Sequence, residues 1–332
     1  MGRKKLSCVL FVIGLLAARV DVVAEEKLRI PVASPASITS VVESVAVYRG
    51  WFKEIGYDAT IYSVSGGESA AVLALEKGDL PFFNTDDNIP QAIKPNSNIR
   101  LVASTLNKLP YYLIAGPNVR SYADLPKDGV LVGISSPTSA NVFVSLALLE
   151  KHGIKNTRLV KVGGSIARLA SVKSGKVHVG SLDLGNMLIA KEQGLNVLGS
   201  SSEVFAEFLM MQIAMNRKWV ERNPQKAVEI VGTLIRACDY INRNREGTIE
   251  VLVKFQKNKP EVARQVYDLG VAQEKSVPRH CEYTEKGVQE YIKSAQWSKA
   301  IDPDTKVPPT RAFSMPDLYQ KGLEWFKKKY GG

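Results

Sequence analysis

Two stretches of this chain, 97 residues apart, carry the same structural punctuation without a gap. Gly66-Gly67 returns as Gly163-Gly164, Gly78 as Gly175, the run Leu80 to Phe83 as Val177 to Gly180, and Asp86 as Asp183. A glycine pair, a helix-length segment, a glycine turn, a buried strand and an aspartate thus occur twice. An internal echo of this kind predicts two lobes of similar topology with a cleft between them.

The residues between these marks alternate short apolar runs with amphipathic segments, the pattern of α/β lobes whose parallel sheets are covered by helices. Strands are predicted at Leu28 to Val32, Ala59 to Val64, Leu80 to Asn84, Ile99 to Ser104 and Tyr112 to Ala115. A second set falls at Val130 to Ile134, Arg158 to Val162, Val177 to Leu182 and Asn196 to Leu198, with a return strand at Met210 to Asn216. Beyond Asn216 the pattern is helical. Asn223 is expected to cap a helix that has Pro224 at its first position, and Ser314 with Asp317 to form a capping box before the last helix. The expected division is residues 25–115 with 210–332 as one lobe and 116–209 as the other.

The chain opens with Arg3, Lys4 and Lys5, an apolar run from Leu6 to Ala18, and Val22-Val23-Ala24. This is the form of a signal peptide cleaved near Ala24. The run is short of the roughly 20 residues that span a bilayer, so the mature chain is expected to be exported and free in the periplasm. Loss of residues 1–24 removes four Lys/Arg and one Asp and lowers the formal charge from +11 to +8. The positive charges are scattered without interleaved aromatics, which argues against nucleic-acid binding. Cys238 and Cys281 survive processing. An oxidising compartment would permit them to pair, but Cys238 continues the helical face Val228, Val231, Ile235, and a buried thiol is the expectation for it ahead of a disulfide.

Ligands of open parallel sheets bind where strand ends meet helix N-termini, whose unpaired N–H groups favour anions. The segments that reach this edge are Ser34 to Ser37, Ser65 to Ser69, Asn84 to Asn88, Ser135 to Ser139, Gly163 to Ser165 and Asp183. Gly164 enters the candidate site here, as the second glycine of its pair. Hydroxyls and amides of Ser135 to Ser139 form the best oxyanion site, and ordinary helix capping is the alternative use of the same residues. Asp86 and Asp183 can equally cap helices or accept hydrogen bonds from a ligand. Glu68, on a first helical turn, would compete with an anionic ligand. Strand alternation lets one of Tyr111 and Tyr112 face the cleft, and Tyr112 is the candidate. His152, His178 and His280 show no metal-ligand spacing, there is no nucleophile elbow and no cleft cysteine, so no catalytic residue, metal or cofactor is expected.

The stretch YRGWFKEIGYDATIYSVSGGESAAVLALEKGDLPFFNTDDN, Tyr48 to Asn88, resembles the N-terminal signature of the sulfonate, nitrate, taurine and thiamine-precursor group of type II periplasmic binding proteins. SYADLPKDGVLVGISSPTSANVFVSLALLEKHGI, Ser121 to Ile154, is similar to that family's opening of its second lobe. The resemblance implies a two-lobe type II periplasmic binding fold with a ligand cleft between doubly wound lobes. It also implies a monomeric carrier that captures a small molecule and delivers it to an ABC permease of the inner membrane with its ATPase. Carried residue by residue onto this chain, the family's ligand-contacting segments fall on Ser37, Gly67, Thr85, Asp86, Ser136, Thr138 and Asp183. The chain departs from the family pattern at Ser34-Pro35-Ala36 and at the acidic Asp86-Asp87.

The expected function is capture of a small organic anion, sulfonate- or carboxylate-like, by lobe closure. Two other readings remain: an enzyme on the same fold, pyrimidine synthase- or desulfinase-like, and an extracytoplasmic ligand sensor.

Overall fold

The computed structural model describes residues 25–331 except 33, 65–67 and 138. The expected signal peptide, Gly67 and Thr138 therefore lie outside the described residues.

The first lobe opens with β1 (Glu26–Val32), followed by α1 (Val41–Tyr48), β2 (Tyr57–Ser63) and α2 (Glu68–Lys77). It continues with β3 (Phe82–Thr85), α3 (Asn88–Ala92) and β4 (Ile99–Leu106). β1 and β2 pair in parallel from Glu26↔Tyr57 to Val32↔Ser63. Parallel neighbours need a crossover, and α1 supplies it, burying Val41, Val42, Val45 and Ala46. Gly56 makes the turn into β2 at φ 84°, a left-handed angle that glycine adopts without steric cost.

The second lobe runs β5 (Tyr111–Ala115), β6 (Val130–Ile134), α4 (Ala140–Lys151), β7 (Thr157–Lys161) and α5 (Ser165–Lys173), then β8 (Val179–Asp183), α6 (Leu184–Glu192) and β9 (Asn196–Ser200). Its five strands form one sheet in the order β7-β6-β8-β5-β9. β7, β6 and β8 are parallel, whereas β5 runs antiparallel to both β8 and β9. The chain then returns to the first lobe as β10 (Met211–Asn216), which inserts antiparallel between β3 and β4.

Beyond Gly66-Gly67, which lie outside the described residues, the 97-residue echo holds in three dimensions. β3 and its counterpart β8 each lie beside a strand of opposite direction, β10 and β5, which the crossing chain lays down. Two expectations are corrected. Only β1–β2 forms a purely parallel sheet, the β3-β10-β4 pairings being antiparallel and the five-stranded sheet mixed, and β5 pairs wholly within the five-stranded sheet, so the chain leaves the first lobe between Leu106 and Tyr111 and not at 115.

Helices α7 (Arg217–Arg222), α8 (Pro224–Arg243), α9 (Arg245–Lys254) and α10 (Pro260–Gln265) follow, then a π-helix at Val266–Gln273, α11 (Glu285–Trp297) and α12 (Pro316–Tyr330). α8 packs against α1 and α12. The α8–α12 crossing is close because both helices offer glycine: a Cβ on Gly232 would collide with the Trp325 ring, and one on Gly322 would lie 2.5 Å from Val231 Cγ1. Asn223 stands at the N-cap of α8 with Pro224 in the first position, as expected, but its side-chain amide donates back to Trp219 O at 2.9 Å instead of capping; the capping box expected at Ser314 does not form, because Ser314 bridges to Leu101 and Met315 takes the N-cap of α12. Among the described residues no helix is long and apolar enough to cross a membrane.

Cys238 and Cys281 form a disulfide with their Cα atoms 5.8 Å apart, which corrects the expectation of a free thiol. The helical face of Cys238 was read rightly, since the residue is fully buried. What sequence spacing does not contain is that the segment before α11 lays Cys281 against the middle of α8.

Candidate functional site

The two lobes enclose a cavity of about 50 Å³ where their strand ends meet. That volume holds only a few water-sized groups. From the first lobe it is reached by the turn after β1 through Ser34, Ser37 and Thr39, by Glu68 at the start of α2, and by Asp86 after β3. Met210 and Met211 close it where the chain returns. The second lobe adds Tyr111 from β5, Ser135, Ser139 and Asn141 around the start of α4, then Gly164, Ser165 and Arg168 from α5, and Asp183 at the end of β8.

The turn after β1 is held from behind. Gln256 Nε2 donates to Ser37 O, Ser40 Oγ and Ser44 Oγ, and Ser37 Oγ accepts from Thr39 N–H at 3.3 Å. Asp86 is anchored through its backbone carbonyl, which accepts from the Tyr291 hydroxyl at 2.7 Å and from Gln212 Nε2 at 3.2 Å. Its side chain is thereby aimed across the cleft, where Oδ2 accepts the Ala140 N–H at 2.7 Å. Next to it, Asp87 Oδ2 accepts from Ser136 Oγ at 3.4 Å. These bonds join the lobes.

This geometry alters the meaning of the segment expected to hold an oxyanion. The first N–H of α4 is taken by the chain's own carboxylate, and the loop's hydroxyls are engaged with one another and with Asn141. Ser136 Oγ lies 3.0 Å from Ser139 Oγ, and Asn141 Nδ2 donates to Ser135 Oγ at 2.7 Å. α6 is filled in the same way: Asp183 accepts from Asn186 N–H at 3.2 Å and from Asn186 Nδ2 at 2.9 Å. Asp183 thus caps a helix and lines the cavity at once.

The electrostatics are acidic. Burial first, then the charges of Asp86 and Asp87, hold the Glu68 carboxyl well above the usual carboxylate range, and it hydrogen-bonds to Asp86 and Thr85. Burial also raises Asp86, against the Ala140 N–H and the bond from Glu68, which lower it. Of the pair, Glu68 is the one whose protonated form these surroundings favour more, with Asp86 as its acceptor. Oxygens of Glu68, Asp86 and Asp87 all come within 4.8 Å of one another, a spacing able to hold a cation.

Arg168, only 2 % exposed, is the compensating charge. Its Nε donates to Ser181 O at 2.8 Å, Nη1 to Gly163 O at 2.9 Å and Nη2 to Ser165 Oγ at 2.9 Å. Burial lowers its pKa, while Tyr111, Asp183, Asp86 and Glu68 act to raise it. Burial likewise pushes the Tyr111 phenol far up, so the ring meets the cavity uncharged.

Of the residues expected at the site, Ser37, Asp86, Gly164 and Asp183 line the cavity. Thr85 and Ser136 stand just behind it, Thr85 Oγ1 accepting from Asp87 N–H at 3.4 Å. Tyr112 is corrected: strand alternation turns Tyr111 inward, and the Tyr112 hydroxyl instead donates to Glu274 at 3.0 Å. Sequence reasoning missed Arg168, Asn141 and the two methionines. A signal for Arg168 existed, since it shares the buried α5 face of Ser165, Leu169 and Val172, where an arginine must be satisfied internally.

Two sheet-bearing lobes closing on a polar crevice define the fold of the periplasmic binding proteins. The ligand-binding component of an ABC-type import system from Staphylococcus aureus, solved with zinc bound, superposes with a TM-score of 0.72 at 13% identity, covering 90% of this chain and 99% of that one. The nitrate-binding protein NrtA from Synechocystis PCC 6803 gives 0.69 at 15% identity, covering 92% and 89%. The aliphatic sulphonate binding protein SsuA from Escherichia coli gives 0.66 at 16%, covering 88% and 92%. At these identities the likeness is one of fold. The chain belongs to the NMT1/THI5-like family, whose model matches residues 40–247. No curated protein matches the sequence significantly.

Proposed function

We propose that this chain is the exported solute-capturing component of an ABC importer. It takes a small molecule between its lobes, closes on it, and releases it to an inner-membrane permease driven by a separate ATPase. The observation that carries this reading is the cavity walled from both lobes and bridged by Asp86 and Ala140. A ligand drives closure only through contacts better made in the closed state, and walls drawn from both lobes supply them. The family and the fold neighbours support the same role.

The Cys238–Cys281 disulfide favours an oxidising compartment and so an exported protein. It also engages both cysteines beyond residue 24, which leaves no thiol for desulfinase-like chemistry.

The test is native mass spectrometry of the chain recovered from an exporting host. The expected result is a mass beginning near Glu25, carrying one small molecule that is released unchanged. Re-adding that molecule at about 100 times its dissociation constant should stabilise the protein by roughly 2.7 kcal/mol. An uncut chain retained in the cytoplasm, or conversion of the bound molecule on incubation, rejects the proposal.

A further inference from the structure

Helix α4 meets the other side of the cleft at two points one helical turn apart. At its start, the Ala140 N–H is held by Asp86 Oδ2 at 2.7 Å. Three residues on, where a helix returns to the same face, the Phe143 ring packs edge-to-face on Tyr291 of α11, with centroids 5.7 Å apart and planes at 79°. Both points lead to one side chain, because the Tyr291 hydroxyl donates to the Asp86 carbonyl at 2.7 Å. Tyr291 is fully buried and reaches the cavity through Asp86, which lines it.

The two points differ in what they tolerate. Phe208, where the chain returns between the lobes, completes the aromatic contact, its ring 5.6 Å from Tyr291 and 5.9 Å from Phe143. Main-chain bonds tie this crossing down: Phe208 N–H donates to Asn107 O on the outgoing crossing and Leu209 N–H to Gly287 O on α11, each at 3.1 Å. α11 is thereby fixed to the place where the chain crosses, and Tyr291 with it. Aromatic rings attract in several tilted and edge-on arrangements, whereas a hydrogen bond weakens steeply once it bends. A second lobe that swings about the crossing can keep Phe143 on Tyr291, but it must part Ala140 from Asp86. How readily that bond parts depends on how firmly Asp86 is aimed. Its carbonyl accepts from Tyr291 and from Gln212 Nε2, and the phenol at 2.7 Å is closer than the amide at 3.2 Å. Burial holds the phenol well above its ordinary pKa, so the donor proton stays in place.

Building on the capture function above, we propose that Tyr291 is a positioning residue for lobe closure: its ring seats α4 beside the crossing, and its hydroxyl aims Asp86 at the Ala140 N–H. A residue outside the cavity thus sets the open-to-closed ratio. It sets the affinity for the captured molecule too, because apparent affinity scales with the fraction of protein in the competent form.

The experiment places spin labels at Lys77→Cys on α2 and Lys173→Cys on α5, both exposed positions, and measures the distance between them by pulsed electron resonance. Cys238 and Cys281 are buried and bonded to each other, so the label goes to the new thiols. The mature chain, dialysed free of small molecules, is compared with Tyr291→Phe, Asp86→Ala and the two combined. Tyr291→Phe keeps the ring and removes only the donor. Its open-to-closed ratio should rise about threefold or more, as loss of a neutral hydrogen bond allows. Asp86→Ala should open the lobes further, and the combined variant should be no more open than Asp86→Ala alone, since residues acting through one bond are not additive. A merely structural hydroxyl would lower the urea midpoint and leave the distances as they are. Distances in Tyr291→Phe equal to the parent's, or a combined variant more open than Asp86→Ala, overturn the inference. Should Tyr291→Phe fail to fold, Phe143→Leu decides from the α4 side: an opened distribution upholds the inference and parent-like distances overturn it. The capture function is read separately, from the molecule that the parent carries through native purification. It survives the loss of this inference, and a parent that carries no molecule removes it whatever the distances show.

Discussion

The carboxylate of Asp86 in one lobe accepts the backbone N–H of Ala140 in the other at 2.7 Å, so a helix N-terminus at the cleft between the lobes is capped by a residue 54 positions earlier in the chain. Capping normally joins neighbours in sequence; here it joins lobes. The bond is possible because the Tyr291 hydroxyl and Gln212 hold the Asp86 carbonyl and so direct its side chain outward.

Asp86→Ala should therefore loosen the closed arrangement. A charge-assisted bond contributes about 1.5–3 kcal/mol, enough to move a two-lobed protein by more than tenfold in its open-to-closed ratio. Small-angle scattering of the unliganded variant should show a larger radius of gyration than the parent. An unchanged radius would remove the latch role.

Arg168→Lys should be costly although charge is kept. Lysine lacks the planar fork that reaches Ser181 O, Gly163 O and Ser165 Oγ together, and breaking a buried charge network costs about 3–5 kcal/mol when a partner is lost entirely. A loss of more than about 1 kcal/mol in urea unfolding is expected for the conservative change. Wild-type stability would mean that the guanidinium geometry carries no weight.

Glu43 predicts a pH dependence. It is fully buried on α1; Oε1 accepts from Asn84 Nδ2 at 2.6 Å, Oε2 has no partner among the described residues, and burial raises its carboxyl to about 7. A raised acid binds its proton more tightly folded than unfolded. Its contribution to stability is therefore fully present below about pH 4.5 and falls as pH rises toward 7, by at most about 3 kcal/mol. Glu43→Gln should raise stability at pH 8 and flatten the denaturation midpoint between pH 5 and 8. A parallel shift of the whole profile would contradict this assignment.

Reduction of the Cys238–Cys281 bond opens a loop closed across 43 residues. Chain-entropy reasoning gives about 4 kcal/mol for a loop of that size. Cys238→Ala with Cys281→Ala should unfold at correspondingly lower denaturant, and the parent should match it only under reducing conditions. Equal stability of oxidised and reduced parent would show that the bond contributes nothing.

Most strands were legible because their signals are local. An apolar run flanked by glycine and polar turns buries itself wherever the chain goes, and the predicted and observed strands differ by one or two residues at their ends. The echo was legible for the same reason: Gly78 and Gly175 both adopt positive φ, 87° and 73°, which the sequence records as glycine. Caps were less legible. Ser314 had the right spacing for a capping box, but its backbone is held in a bridge to Leu101, a contact between residues 213 positions apart.

The candidate site divides along the same line. That Ser37, Asp86, Gly164 and Asp183 would gather at one edge follows from strand order and period, and the sequence alone determined it, together with the two-lobe α/β architecture and the placement of the helical C-terminal third. Only the tertiary structure decided that β5 joins the second sheet, that Tyr111 and not Tyr112 turns inward, that Cys238 meets Cys281, and that Asp86 fills the place where an anion was expected. The physical reason is range. Propensity, periodicity and turn chemistry act over a few residues and are written in each segment, whereas charge balance in a cavity is a sum over side chains brought together by folding, and no single segment contains it.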